Sequence, residues 1–161
     1  VLSLIACLPS PALRAQLRAE LAVWFYAADR LEDCRKIVST HLLPEIRACE
    51  DKPDGLFAYC VVAAADALFV AHPETAKAMF AKLDREYRDM AITRAVAGKL
   101  NRLPASEPYR NDEKRAARLT REDIDELIPL LRMADSDATS WGIVDRVTSA
   151  IVEAGATVAS R

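Results

Sequence analysis

Leu56-Phe57-Ala58-Tyr59-Cys60-Val61-Val62-Ala63-Ala64-Ala65-Asp66-Ala67-Leu68-Phe69-Val70-Ala71 is apolar on every side of a helix apart from one carboxylate. A membrane span needs about 20 consecutive apolar residues. This run is shorter, rich in Ala, and carries Asp66 near its middle. It therefore reads as a helix buried among other helices, with Ala63, Ala64 and Ala65 small enough to let a neighbour come close.

Around this run the apolar residues recur at helical spacing. Leu13, Leu17, Leu21, Trp24 and Phe25, continued by Ala28, form one stripe, with Trp24 and Phe25 expected in the core and Tyr26 pointing elsewhere. Leu31, Cys34, Val38, Leu42 and Ile46 form the next, in which Pro44 should kink or tighten the last turn. Ala76, Phe80, Leu83, Tyr87 and Met90 form a third, in a segment that runs to about Leu100 or breaks near Asp89. Ile124, Leu127, Ile128 and Leu131 form a fourth, and Ile143, Val147 and Ile151 mark a final helix.

Proline and acidic residues punctuate these stripes. Ser10-Pro11 and His72-Pro73-Glu74 read as N-cap followed by the first helical residue. Asp51 or Asp54 offers a third start, Thr120-Arg121-Glu122-Asp123 approximates a capping box, and Asp135-Ser136-Asp137 begins the last helix.

The whole composition agrees. Of 161 residues 52% are hydrophobic and 29% charged, with 4 Gly against 8 Pro, enough to bury a core and too few turn formers for a sandwich or barrel. The expectation is an all-α chain of about six or seven helices forming a single helical domain over residues 1–161. A net charge of −2 and a pI near 5.8 argue against a dedicated polyanion binder, which is basic over a whole face. Cys7, Cys34, Cys49 and Cys60 show no Cys-x-x-Cys pair and read as reduced thiols of a cytoplasmic protein. Leu4-Ile5-Ala6-Cys7 resembles a lipobox, but no basic region precedes it and the apolar run is too short for a signal sequence. A start at Val1 rather than Met fits a fragment of a larger protein better.

Leu42-Leu43-Pro44-Glu45-Ile46-Arg47 matches Leu127-Ile128-Pro129-Leu130-Leu131-Arg132 at an offset of 85 positions, and an acidic turn follows each copy. That offset is about twice ~42, inside the period range of HEAT and armadillo repeats. A late Pro, an acidic turn and an Ala/Val-rich second helix make Asp125–Gly155, Arg30–Ala71 and, less clearly, Pro73–Leu103 similar to HEAT repeats. Gly142-Ile143-Val144-Asp145-Arg146 departs from the Val-Arg usual at the start of the second helix, leaving tetratricopeptide-like stacking open. The resemblance implies an α-α superhelix used as a scaffold.

Asn101–Leu119 interrupts the pattern with Pro104, Ser106, Pro108 and Asn111 and reads as a long basic loop. From Arg102 to Arg121 it carries six basic residues against three acidic ones. Tyr109, Arg110, Lys114, Arg115, Arg118 and Arg121 are thus candidate binding residues, for a protein partner or, as the alternative, for nucleic-acid phosphates with Tyr109 stacking. Trp141 is a further interface candidate.

Catalytic patterns are sparse. Cys34 and His41 lie seven apart, about two helical turns or ~10 Å, too far to share one zinc. No Gly-x-Ser-x-Gly, His-Glu-x-x-His or phosphate-binding Gly loop occurs, so no metal, cofactor or catalytic residue is assigned. His72 reads as the cap of its helix and His41 as a half-buried imidazole. Asp66 is the informative exception: a carboxylate in an apolar helix needs a donor, a basic partner or a raised pKa. It is either a structural ion pair or the acid of an enzyme site. The sequence reading is a protein-interaction scaffold whose partner is another protein or another domain of the same chain, with no membrane.

Overall fold

The computed structural model describes residues 1–52, 55–100 and 121–134, together with helical positions 141, 142, 144, 145, 148 and 149. Among the described residues every regular element is helical and none is a strand. None of these helices is long and apolar enough to cross a membrane.

The chain opens with a short α1 (Leu2–Ala6) and a longer α2 (Pro11–Ala27). Ser10 starts α2 as expected: its Oγ accepts the Leu13 amide at 3.3 Å, and Pro11 occupies the first turn, where its missing N–H costs nothing. After a left-handed Asp29 (φ 59°) the chain reverses into α3 (Leu31–Ile37).

Where Pro44 is expected to kink or tighten the helix, the turn before it is instead widened. A π turn at Val38–Leu42 joins α3 to α4 (Leu43–Arg47), with the Leu43 amide reaching back five residues to the Val38 carbonyl. Pro44 has no N–H for the Thr40 carbonyl, and its ring would crowd an α-helical turn there. The extra residue also solves a register problem. Cys34, Val38, Leu42 and Ile46 recur every fourth position, which drifts about 40° per step on an α-helix, yet all four are buried.

The apolar run forms α5 (Leu56–Ala71), and its second half is wholly inside the core. Its start is set by Gly55 at φ 69° rather than by Asp51, and Asp54 lies outside the described residues. Next come α6 (Pro73–Phe80) and α7 (Arg85–Leu100), so the break expected near Asp89 falls at residues 81–84. Finally α8 (Arg121–Met133) keeps Pro129 inside it. Buried Leu127 and Leu130 of α8 join the core, while Ile128, expected inside, is exposed.

α5 is the centre, packed chiefly between α2 and α7. Tyr59 and Tyr87, near the starts of α5 and α7, meet edge to face at 5.5 Å between ring centres. Further along both helices Arg94 reaches Asp66 and Gly98 abuts it, so α5 and α7 run in the same direction. α2 runs the same way: it lies antiparallel to α3–α4, with Arg14 on Glu45 and Arg18 on the earlier His41 carbonyl, and α3–α4 is antiparallel to α5, since Ser39 meets His72 at the far end of α5.

The largest correction concerns α2. Its Leu/Trp stripe is only partly inside: Trp24 is 48% exposed and Leu13 42% exposed, Leu17 is half-buried, and Leu21 and Phe25 pack against the edge of the core. The buried face is Ala15, Arg18, Ala19, Ala22 and Tyr26, the last only 6% exposed although the pattern pointed it away from the core. Three alanines at helical spacing let the α2 backbone approach the equally Ala-rich α5, which larger side chains would hold off.

Candidate functional site

Of the basic cluster, Tyr109, Arg110, Lys114, Arg115 and Arg118 lie outside the described residues, as does the Asn101–Leu119 loop. Arg121 is the first residue of α8. Trp141 is 71% exposed at a helical position, and Ile143, Val147 and Ile151 fall outside the described set.

Asp66 finds its partners within the fold. Its Oδ2 accepts from Arg94 Nε at 3.1 Å and its Oδ1 from the Ala67 amide at 2.8 Å. Burial pushes the carboxyl pKa up, and Arg94 and the Ala67 amide offset this only in part. The site is also sterically closed on the α7 side. A Cβ on Gly98 would lie 2.5 Å from the Asp66 Cβ and 3.0 Å from its Cα, so only glycine fits there. Neither cleft described below reaches Asp66.

A second buried charge cluster was not read from the sequence. Lys99, in the last turn of α7, bonds Glu126 at 2.5 Å and Asp123 at 3.1 Å and so ties α7 to α8. Burial alone would lower the lysine pKa. Glu126, the nearby Tyr26 and Asp123 together overcome this and hold it above the usual value. Asp123, expected to serve the helix start, is instead almost wholly buried. The i, i+3 spacing of Asp123 and Glu126 was visible in the sequence; their partner, 24 and 27 residues away, was not.

The most built-up polar site lies between the first half of α2 and the π turn. Arg14 and Arg18, one helical turn apart, converge on Glu45: Arg14 Nε donates to one carboxylate oxygen and Arg18 Nη1 to the other. Arg18 Nη1 also donates to the His41 carbonyl at 3.2 Å, in the stretch of helix that Pro44 and the π turn distort. Arg14 Nη1 donates to the Leu8 and Pro9 carbonyls, anchoring the turn before α2. These residues, with Thr40, His41, Ala48, Cys49 and Lys52, line a cleft of about 400 Å³.

No family model matches the chain, and no curated protein or solved structure is significantly similar to it. Its chemistry is therefore read from its own side chains.

The thiols and imidazoles complete the inventory. Cys34, Cys49 and Cys60 are buried and Cys7 is exposed, all unbridged. Burial pushes the thiols of Cys34 and Cys60 up to about 12, which suppresses the nucleophilic thiolate. His72 holds the N-cap position of α6 without a capping bond from its side chain; its Nε2 lies 2.8 Å from Ser39 Oγ instead. A second cleft of about 440 Å³ runs between α6 and α8, with Glu74, Glu122, Asp125 and Glu126 outnumbering Lys77.

Proposed function

We propose that this chain is a cytoplasmic protein-interaction scaffold built from stacked helical hairpins in the manner of HEAT or armadillo repeats. The parallel run of α2, α5 and α7 supports the architecture, because second helices of consecutive hairpins stack side by side in one direction while the helices between them return the chain. In this reading α3–α4 with α5, and α6 with α7, are successive hairpins.

The observation that carries the functional part is the outer face of α2. Leu13, Leu17 and Trp24 lie along one side of the helix, while Leu21 and Phe25 at its border pack against the core. Trp24 packs edge to face on Phe25 at 5.1 Å, and the Arg30 guanidinium lies 4.5 Å from the Phe25 ring centre. A large apolar stripe with a Trp at one end and a cation at its rim has the anatomy of a recognition surface. The partner is another protein or another domain of the same chain.

The test is a photo-crosslinking residue at Leu13, identification of the captured chain, and reconstitution with that protein purified. Trp24→Glu leaves folding intact and weakens the purified complex by about thirtyfold, the loss expected of one interface hot spot. A purified complex that forms equally well with Trp24→Glu and with Leu17→Glu refutes the reading.

A further inference from the structure

We propose that the cleft between α2 and the π turn binds a small organic anion, a carboxylate or phosphate carried on a short apolar body. Three cationic side chains, Arg14, Arg18 and Lys52, face it against the single carboxylate of Glu45. Glu45 answers both arginines, one oxygen each, so one guanidinium charge is left without its own counter-ion. Lys52 stands at the rim and makes no ion pair among the described residues.

Arg18 is the decisive residue. It is only 9% exposed, yet its Nε is buried without a hydrogen-bond partner. Buried donors are almost always satisfied, so the orphan leaves this cleft-lining guanidinium one acceptor short. A purely structural ion pair would need neither the open cleft beside it nor the surplus charge. The walls supply the rest: Pro11, Pro44 and Ala48 give an apolar surface, and about 400 Å³ exceeds what a bare inorganic ion fills but suits a small metabolite. The π turn brings Thr40 and His41 to the same wall, and such turns recur at ligand sites.

Glu45 acts in this site as a resident competitor. A ligand carboxylate or phosphate takes the surplus guanidinium donors and Lys52, while Glu45 keeps the two arginines oriented when the cleft is empty. Neutralising Glu45 therefore tightens anion binding, whereas neutralising Lys52 weakens it.

The experiment follows the Arg18 and Arg14 Nε–Hε resonances of the intact chain by NMR during titration with inorganic phosphate, glycerol phosphate or butyrate, at ionic strength held constant with chloride. The expected result is a saturable shift of the Arg18 signal, with glycerol phosphate or butyrate binding more tightly than inorganic phosphate. Lys52→Gln weakens binding about tenfold, the loss of one charge-assisted hydrogen bond, and Glu45→Gln strengthens it. Arg18→Gln removes a buried partner of Glu45 and destabilises the fold, so Lys52→Gln, at the solvent rim, serves as the variant that isolates binding. No saturable shift with any of the three probes, a shift reproduced by chloride, or binding indifferent to both Lys52→Gln and Glu45→Gln overturns the proposal. Tighter binding of glycerol phosphate than of butyrate assigns the anion as a phosphate, and the reverse order as a carboxylate.

Discussion

Replacing Gly98 by Ala should destabilise the protein, although the same change in a helix interior ordinarily stabilises it. The intrinsic gain is about 1 kcal/mol, from restricting the unfolded chain and improving helix propensity. Against it stands a Cβ placed 2.5 Å from the Asp66 Cβ and 3.0 Å from its Cα, where ordinary contact begins at 3.4 Å. The obstacle is the Asp66 Cβ and the Cα that carries it, fixed to the α5 backbone rather than at a flexible side-chain tip, so the two helices must separate by about 1 Å. A gap of that size forfeits roughly a quarter to a half of each dispersion contact it opens. It opens them along the wholly buried Ala91, Ile92 and Ala95 and lengthens the Arg94–Asp66 bond. Overpacking of this kind costs about 1–3 kcal/mol, and a backbone obstacle places it at the upper end. The net loss is then about 2 kcal/mol, or a Tm lower by about 4–8 °C for a chain of this size. Urea and thermal unfolding of Gly98→Ala measure it, with Gly142→Ala as the control: Gly142 is an exposed helical position with nothing within 4 Å of a new Cβ. The control should gain about 0.5–1 kcal/mol. Adding Asp66→Gly to Gly98→Ala removes the closest clash and should recover part of the loss in a double-mutant cycle. A Gly98→Ala protein as stable as Gly142→Ala would refute the close approach of α5 and α7.

The remaining expectations concern buried charges and thiols. Lys99→Met leaves two carboxylates facing each other and should cost about 3–5 kcal/mol in urea unfolding; a loss below about 1 kcal/mol would show that α8 is not held through this lysine. Because the folded-state pKa of Lys99 is raised, its contribution is complete below the ordinary lysine range and is lost as pH climbs through the folded value, so wild type and Lys99→Met should converge in strong alkali. Asp66 has the opposite sense: its raised carboxyl binds more protons folded than unfolded, so its ionisation lowers stability as pH rises through the window above 3.8. Asp66→Asn should therefore gain stability relative to wild type between acid and neutral pH, as read by urea midpoints, and a gap that moves the other way contradicts the assignment. A thiol reagent at mildly alkaline pH should modify Cys7 rapidly and Cys34, Cys49 and Cys60 only after unfolding, because those three are buried; rapid native labelling at more than one site, located by mass spectrometry, would contradict that.

How far the sequence reaches depends on which residues one asks about. Ser10-Pro11 announced a helix start because a side-chain oxygen and a missing N–H act within one turn, and the start is where the pattern put it. Cys34, Val38, Leu42 and Ile46 were legible as a buried face, but the π turn that keeps them on it was not. Its cause, Pro44, was visible; whether a helix answers a proline by kinking, tightening or widening depends on what packs around it. Pro129, in the matching hexapeptide, sits inside α8. For Asp66 the need for a partner was legible and the partner was not, since Arg94 lies 28 residues along the chain.

What the sequence determined by itself is therefore local: the all-helical character of the described residues, several of their helix starts, and the burial of the second half of Leu56–Ala71. Those follow from backbone propensity, capping and the cost of exposing an unbroken apolar run. Only the tertiary structure decided which face of α2 is inside. The apolar pattern pointed to Leu13, Leu17 and Trp24, yet the close neighbour α5 selected the alanines, and Glu45 with the His41 carbonyl drew in Arg18. Burial rewards apolar area, but helix approach is limited by side-chain bulk, and here the second constraint prevailed. The same choice carried Arg18 into contact with Glu45 and placed an unpartnered guanidinium nitrogen beside an open cleft.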